Sequence, residues 1–251
     1  MRAAVHRSCC VLQPIFLPWM GWFDLVDQVD VFVVLDDAQF SKQSWQQRNR
    51  IRTARGLEYL SIPVKSAGRM GQPINEVAIS DQGFVKSFAG RIQAAYENAP
   101  FFSSVEPEFS SVLRECAKSE LLVDVNMGII AWLCSALELE KEVVRASALG
   151  VSGRRGERVA ALCEAVDANR YVSPLGAKEY LTHDYHHFEA RSISVELQGY
   201  EHPQYEQVHQ PFIPYATTLD LMMMQGSQSM AAIRSGRRSN TSLAKAIFEG
   251  L

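Results

Sequence analysis

Short runs of β-branched and apolar residues alternate with longer stretches in which apolar residues recur at helical spacing. The first two runs, residues 9–12 and 31–35, are dense enough to predict strands that are buried on both faces. A helix is predicted between them at residues 22–29, after a turn that contains Pro18 and Gly21. This strand–helix–strand order predicts a parallel pair of strands at the start of the chain.

The same alternation returns in the second half of the chain. The elements predicted there, in order, are strand 143–146, helix 157–166, strands 171–173 and 193–197, and helices 217–225 and 243–248. The repeated order predicts an α/β fold, a mainly parallel Rossmann-like sheet flanked by helices on both faces. A ligand should then lie at the carboxyl ends of the strands. Gln13, Asp36, Asp37 and Ser173 occupy those ends.

The middle of the chain has a different pattern. Three helices are predicted at residues 84–97, 105–119 and 121–139, and we interpret them as a helical insertion or subdomain of about residues 84–140. They lie within one domain that spans residues 1–251. Two further strands are predicted, one at 59–64, whose Pro63 favours a sheet edge, and a short one at 77–79.

Composition narrows the class of protein. The 251 residues are 47% hydrophobic, no apolar run reaches the length of a membrane span, and the first 14 residues do not resemble a signal peptide. The five cysteines are odd in number and form no C-x-x-C pair, which argues against a disulfide framework or a zinc knuckle. We expect a soluble cytoplasmic protein with buried free thiols, in which neighbouring Cys9 and Cys10 point to opposite faces of a strand. The sequence contains no metal or organic cofactor motif.

A local concentration of positive charge contrasts with the net charge of −3. The basic segment, residues 42–69, has seven Lys or Arg residues and one acid, Glu58. Such a segment suits a phosphorylated small ligand or, more weakly, an RNA; the alternative is a solvated basic face. If the chain is extended there, Arg48, Arg50 and Arg52 share one face, and Lys42 could join them.

Several motifs together point to a family. Residues 13–23 read QPIFLPWMGWF, residues 35–40 read LDDAQF, residues 48–51 read RNRI, and residues 202–207 read HPQYEQ. This set resembles the WbqC-like family, which is found in bacterial surface-polysaccharide and related gene clusters. The resemblance covers nearly the whole chain, and the N-terminal block is its most specific part. Two tracts depart from the family pattern, the methionines of 222–225 and the histidines of 183–187.

The resemblance implies an enzyme that decorates amino sugars or related amines. We expect a transferase that forms an amide by moving an acyl or aminoacyl group, such as glycyl, to an amine in polysaccharide or natural-product biosynthesis. The implied partners are a small-molecule amine or a nucleotide-linked amino sugar, with a charged tRNA as one possible carrier of the acyl group.

Three residues are candidates for catalysis. Asp36 or Asp37 could deprotonate the attacking amine, because two close carboxylates raise one pKa and favour the base role. His202 is a further candidate base. Gln13 is expected to orient the acyl carbonyl, and the Pro–Gly turn after it to supply N–H groups to the oxyanion. The candidate substrate-binding residues are Gln13, Pro14, Trp19, Gln39, Lys42, Arg48, Asn49, Arg50, Ser173, Lys178 and Asp220.

Two other features receive a structural interpretation. The loop 150–158 precedes a helix but lacks both P-loop and G-x-G-x-x-G spacing, so a plain loop with Ser152 as the helix cap is favoured over phosphate binding. His183, His186 and His187 have a spacing that could place metal ligands on one helical face, yet packing is favoured because no fourth ligand is evident.

Two alternative functions remain open at this point. The first is an ATP-dependent adenylating, amide-forming ligase of nucleotidyltransferase-like fold, although Trp19 and Trp22 stand where the H-x-G-H signature would have histidines. The second is a non-catalytic protein that binds a sugar nucleotide or RNA through the basic segment.

Overall fold

The computed structural model describes residues 6–248. Residues 1–5, which belong to the stretch considered for a signal peptide, and residues 249–251 lie outside the described part of the chain. The described strands are β1 (Ser8–Leu12), β2 (Val31–Val34), β3 (Arg48–Thr53), β4 (Gly56–Ser61), β5 (Glu142–Arg145), β6 (Arg170–Ser173), β7 (Ser194–Tyr200) and β8 (Arg237–Ser242). The described α-helices are α1 (Met20–Asp27), α2 (Phe84–Tyr96), α3 (Phe102–Cys116), α4 (Leu122–Ala136), α5 (Arg155–Ala165), α6 (Lys178–His183), α7 (His186–Glu189), α8 (Thr218–Gln225), α9 (Ser229–Ser235) and α10 (Leu243–Phe248).

Six strands form one sheet in the order β5-β2-β1-β6-β7-β8. The first five are parallel and β8 is antiparallel to β7. Along the chain, β2 and β5 are therefore added on one side of β1, and β6 and β7 are then added on its other side. The predicted α/β fold with a mainly parallel, helix-flanked sheet is confirmed. The reversal between β1 and β6 is the topological switch point at which ligands bind in open α/β sheets.

Alternate residues of the central strands enter different cores. Cys10 and Leu12 of β1 pack into the apolar cluster that also contains residues of α1 and of the helices α2–α4. Cys9 and Val11 pack into a second cluster, on the other face, with residues of α5, α6 and α7. This is the two-residue period of a strand buried on both faces, and it confirms that neighbouring cysteines point in opposite directions.

The three predicted middle helices are present as α2, α3 and α4, and they share the core with one sheet face. The predicted strand 59–64 corresponds to β4, which pairs antiparallel with β3 in a hairpin outside the main sheet. The strand predicted at 77–79 is wrong, since Ala78 and Ile79 form only isolated bridges. None of the described helices has the length and apolar character needed to cross a bilayer.

A buried carboxylate fastens the segment before α8 to the rest of the fold. Asp220 accepts hydrogen bonds from the hydroxyls of Tyr96 (2.7 Å) and Tyr205 (2.5 Å) and from the amide of Gln207 (3.1 Å). The Gln207 side chain in turn accepts from the N–H of Ile213 at 2.9 Å. Burial raises the pKa of Asp220 even though its three hydrogen bonds work in the opposite direction.

Arg52 makes the complementary connection from the hairpin. Its Nη2 donates to the carbonyls of His209 (3.0 Å) and Pro211 (2.9 Å), and its backbone N–H donates to the Tyr96 hydroxyl (3.0 Å). The side chain is only 2% exposed. Arg52 is therefore a structural residue that anchors segment 201–217, rather than part of an exposed basic face.

We predict that Asp220→Asn lowers the free energy of unfolding by about 2 kcal/mol at pH 7, because the new amide presents N–H groups to buried donors. The folded-state pKa of Asp220 is raised, so its contribution to stability is full below the ordinary value of 3.8 and is lost as the pH rises through the folded-state value. The variant lacks this titration. The gap between wild type and variant should consequently be wider at pH 4, close to the ordinary pKa, than at pH 7.

Urea unfolding at the two pH values measures this gap, with Glu97→Gln as the control because Glu97 is exposed. A gap that stays constant or narrows toward pH 4 would contradict the prediction.

Candidate functional site

A cavity of about 990 Å³ opens at the carboxyl edge of the sheet over the switch point. Its walls come from the residues that follow β1 and β2, from the N-terminal end of α5, and from α6. We call it the arginine cavity, because Arg154, Arg155 and Arg158 line it. Its position agrees with the expectation that a ligand binds where the strands end.

A side-chain amide faces this cavity in a fixed orientation. The N–H of Ser41 donates to Gln46 Oε1 at 2.8 Å, which defines the other end of the Gln46 amide as the donor. Gln46 Nε2 then donates to Gln13 Oε1 at 2.8 Å and to the carbonyl of Gln39 at 3.4 Å. Gln13 therefore presents its NH₂ group as a donor toward the cavity, where the exposed Gln39 side chain also lies.

The three arginines differ in their partners. Arg158 forms an ion pair with Asp37 and donates to the carbonyl of Val151 at 3.2 Å. Arg154 and Arg155 are exposed, and within residues 6–248 neither makes an ion pair. Arg155 also has a φ of 50°, a conformation that costs energy for a residue other than glycine and that occurs often at functional sites.

The N-terminal end of α5 is already occupied by an acid. Asp184 accepts the N–H of Gly156 at 2.9 Å, and a Cβ on Gly156 would come within 2.4 Å of the Asp184 side chain. The prediction that Ser152 caps this helix is wrong, because Arg154 holds the cap position and makes no side-chain cap bond. Guanidinium groups, rather than free helix N–H groups, therefore supply most of the anion-binding capacity of the cavity.

Helix α6 adds groups that can exchange protons. Glu179 and His183 are one helical turn apart, both are exposed, and both line the arginine cavity together with Tyr180. His183 does not share a helical face with His186, because α6 ends at His183 and α7 begins at His186. Among residues 6–248, no group of three or more His, Cys, Asp or Glu side chains is arranged to hold a metal ion.

The two adjacent aspartates point in different directions, as their positions at a strand end predict. Asp36 is fully buried and accepts from the N–H of Ser147 (3.0 Å) and from its hydroxyl (2.7 Å). Asp37 lies beside the cavity through its ion pair with Arg158. Of the two, Asp37 is the one in a position to influence a ligand in the arginine cavity.

The turn after β1 is held by two buried asparagines. Asn126 donates to the carbonyls of Pro14 (2.8 Å) and Gln46 (2.7 Å), and Asn49 donates to those of Phe16 (3.1 Å) and Leu17 (2.8 Å). The Phe16 N–H is also used within the protein, at 2.9 Å from a backbone carbonyl. The side chain of Gln13, not the Phe16 N–H, is thus a donor that this turn offers to a ligand.

A second cavity of about 250 Å³ lies on the other side of the same turn, and we call it the aromatic cavity. It is lined by Ile15, Trp19, Trp45, Asn49, Arg50 and Tyr215. Trp19 packs over Gly21, where a Cβ would come within 2.1 Å of the indole ring. The guanidinium of Arg50 lies 5.2 Å from the centre of the Trp45 ring, within cation–π range. Arg48 lies outside the cavity, 4.3 Å from the Tyr59 ring centre.

His202 packs against Trp19 and Tyr215, two walls of the aromatic cavity, and has both ring nitrogens engaged. Nδ1 lies 2.9 Å from the Pro203 carbonyl, and Nε2 accepts the N–H of Tyr215 at 3.1 Å. Burial lowers the pKa of His202, which favours the neutral ring that this pair of bonds requires. In this arrangement neither nitrogen is available to take a proton from a substrate, and His202 positions Tyr215 instead.

Five other candidate residues line neither cavity, and one of them, Pro14, lies in the turn after β1, where its carbonyl accepts from Asn126. Lys42 is exposed, and Lys178 begins α6, where its carbonyl accepts the Thr182 hydroxyl at 2.8 Å. Ser173 is buried at the end of β6 and its hydroxyl donates to the Pro174 carbonyl at 3.3 Å. Asp220 belongs to the buried network described above.

Sequence reasoning did not assign Arg154, Arg155, Arg158, Glu179 or Tyr180 to the site. The loop before α5 lacks a recognised phosphate motif, so its spacing gave no reason to select its arginines. The order of elements was one signal that this loop lies near the site, because the loop precedes α5, the helix that leads into β6 on the other side of the switch point.

Comparison with known proteins identifies a family. The WbqC-like protein family matches residues 13–232. A curated relative, the uncharacterized protein Rv1507c of Mycobacterium tuberculosis (strain ATCC 25618 / H37Rv), is 29% identical over 229 residues, which cover 91% of this chain and 98% of the relative. No solved structure matches the chain.

The geometry predicts opposite consequences for the two aspartates. Asp36→Asn should lower the free energy of unfolding by about 1–3 kcal/mol, because Ser147 loses a charged acceptor, and should leave the affinity for inorganic diphosphate unchanged. Asp37→Asn should raise that affinity severalfold, because it removes a negative charge and releases Arg158. Calorimetric titration together with urea unfolding measures both effects. Equal effects of the two substitutions on diphosphate affinity would contradict the assignment.

Proposed function

The chain belongs to the WbqC-like protein family, and we propose that it is a transferase that forms an amide. The acyl or aminoacyl group, of glycyl type, is moved to the amine of an amino sugar or related small molecule in polysaccharide or natural-product biosynthesis. The observation that supports this proposal most strongly is the arginine cavity at the topological switch point. A cavity of about 990 Å³ has room for a nucleotide-linked sugar.

The charges of the cavity suit a phosphorylated ligand. The cavity is lined by three arginines and by one acid, Glu179, so its lining is positively charged. Guanidinium groups bind phosphate oxygens in bidentate fashion. Asp37 offsets the charge of Arg158 and fixes its position, so Arg154 and Arg155 are the arginines with donors to offer. In the proposed complex these two bind the diphosphate of the acceptor.

The chemical step needs a base and an oxyanion donor. The amine nitrogen attacks the acyl carbon, the new C–N bond forms, and the bond between the acyl carbon and its carrier breaks. The proton lost from nitrogen passes to Glu179 or His183, which lie on the cavity wall, and the carrier leaves with the bonding electron pair. The NH₂ group of Gln13 donates to the oxyanion of the tetrahedral intermediate.

The strand order favours one alternative, an ATP-dependent ligase that adenylates the acid before amide formation. The order β5-β2-β1-β6-β7 is that of doubly wound nucleotide-binding sheets, and the arginine cavity lies where such sheets bind nucleotides. Release of pyrophosphate from ATP in the presence of an amino acid distinguishes this reaction from simple transfer. An RNA-binding function receives less support, because Arg52 is buried and the basic segment does not form one exposed strip.

We predict that the double variant Arg154→Ala/Arg155→Ala binds a uridine diphosphate amino sugar at least about tenfold more weakly than wild type. The affinity of wild type should fall as the salt concentration rises, since the interaction is mainly ionic. Calorimetric titration measures both, with Arg69→Ala as the matched control because Arg69 is exposed in the basic segment. Equal losses in the double variant and the control would contradict the assignment of the phosphate site.

A further prediction concerns turnover. Glu179→Gln or His183→Gln should reduce the rate of amide formation by about 10²-fold or more while leaving sugar-nucleotide affinity within about twofold. Single-turnover assays with an activated glycyl donor measure the rate. Full activity in both variants would remove α6 from the proposed chemistry.

A further inference from the structure

We propose that the aromatic cavity is a second ligand site and that it binds a small organic carboxylate with an aromatic or apolar body. This inference concerns a different cavity from the one that supports the proposed function, and it stands without it. The two cavities share only the turn after β1, of which Gln13 faces the arginine cavity and Ile15 the aromatic cavity.

The walls of the aromatic cavity are three large rings from three separate segments. Trp19 precedes α1, Trp45 precedes β3, and Tyr215 precedes α8. Trp45 is 43% exposed and Tyr215 is 50% exposed, so two of the three rings leave much apolar surface in contact with water. A flat or apolar ligand placed between them would bury that surface favourably.

Arg50 gives the cavity its polar character. Its guanidinium carbon lies 5.2 Å from the centre of the Trp45 ring, so the positive charge lies beside an aromatic wall of the cavity. One edge is poorly used: Nη2 makes a long bond of 3.4 Å to the Tyr215 carbonyl, and within residues 6–248 the buried Nε–H has no acceptor. Because Nε is enclosed by protein atoms, Nη2 is the group of this edge that a ligand can reach, and a carboxylate that accepts from Nη2 would compensate the charge of the guanidinium.

The other polar side chain of this cavity is already satisfied. Asn49 donates to the carbonyls of Phe16 and Leu17 and accepts the N–H of Arg50 at 2.9 Å. No acid of the described chain forms an ion pair with Arg50. A cavity of aromatic walls that binds cations would require an acid or a neutral rim, whereas an unpaired arginine favours an anion.

The Tyr215 wall is held in place before any ligand arrives. Its φ of 67° is unfavourable for tyrosine, and it is maintained from both sides. His202 accepts its N–H at 3.1 Å, and Arg50 donates to its carbonyl. The His202 ring is also nearly parallel to that of Trp19, with centres 6.3 Å apart. A preformed wall lowers the entropic cost of binding, and His202 acts here as a positioning residue.

The size of the cavity limits the ligand. About 250 Å³ is a quarter of the arginine cavity and lies below the usual range for drug-sized ligands. This volume suits a single small acid better than a nucleoside diphosphate.

Three probes with the same phenyl group and different charges test the proposal: phenylacetate, its neutral analogue phenylacetamide, and the cation phenethylamine. Calorimetric titration of the full chain measures each affinity. We expect phenylacetate to bind with a Kd of about 1 mM or lower and at least about tenfold more tightly than either of the other probes. Equal or tighter binding of phenylacetamide or phenethylamine, or no detectable binding of phenylacetate, overturns the proposal.

Variants locate the site. Arg50→Gln should abolish the preference for phenylacetate over phenylacetamide, and Trp45→Leu should weaken both probes, while Arg69→Gln should change neither. Trp45 is half exposed, so its variant remains informative if Arg50→Gln fails to fold. The binding of a uridine diphosphate amino sugar should persist in Trp45→Leu, which separates this site from the arginine cavity. Unchanged phenylacetate binding in both Arg50→Gln and Trp45→Leu overturns the proposal.

Discussion

The position of β1 in the sheet determines where a ligand can bind. Its neighbours β2 and β6 lie on opposite sides, and the chain leaves β1 toward one and returns to the other only after more than a hundred residues. The connections at the carboxyl ends therefore diverge, and a cavity opens between them. Gln13 lies at this edge because it directly follows β1, and Arg154 lies there because it is the cap residue of α5, the helix that leads into β6.

The turn after β1 is kept rigid by side-chain amides rather than by regular secondary structure. Asn126 reaches it from α4 and Asn49 reaches it from β3, and both donate to backbone carbonyls that would otherwise be buried without partners. Because this turn separates the arginine cavity from the aromatic cavity, the same hydrogen bonds set the shape of both. The middle helices thus contribute to the site through Asn126, although none of them lines either cavity.

Regular patterns in the sequence were sufficient for the five parallel strands of the sheet and for the longer helices. The alternation of Cys9 to Leu12 between two cores follows from strand geometry. The short helices α6, α7 and α9 were not predicted as separate helices, because they contain too few turns to show a clear period, whereas α10 was predicted with its observed bounds. Strand β8 has the polar sequence RRSNTS and lacks the apolar alternation that predicts a strand.

The site itself was less predictable, because it depends on contacts between distant segments. His202 has the chemistry of a base, and only the fold shows that Pro203 and Tyr215 engage both of its nitrogens. Arg48, Arg50 and Arg52 share a strand, yet one packs on Tyr59, one on Trp45, and one is buried beneath segment 201–217. The arginines of α5 reach the cavity through the order of strands in the sheet, which local sequence does not specify.

A crystal structure of the protein with a bound uridine diphosphate amino sugar would test most directly whether Arg154 and Arg155 form the phosphate site. We predict that the diphosphate lies within hydrogen-bonding distance of Arg154 or Arg155. The sugar should be directed toward Gln13 and toward the face of α6 that bears Glu179 and His183. A diphosphate bound instead at Arg48 and Arg50, with the arginine cavity empty, would contradict it.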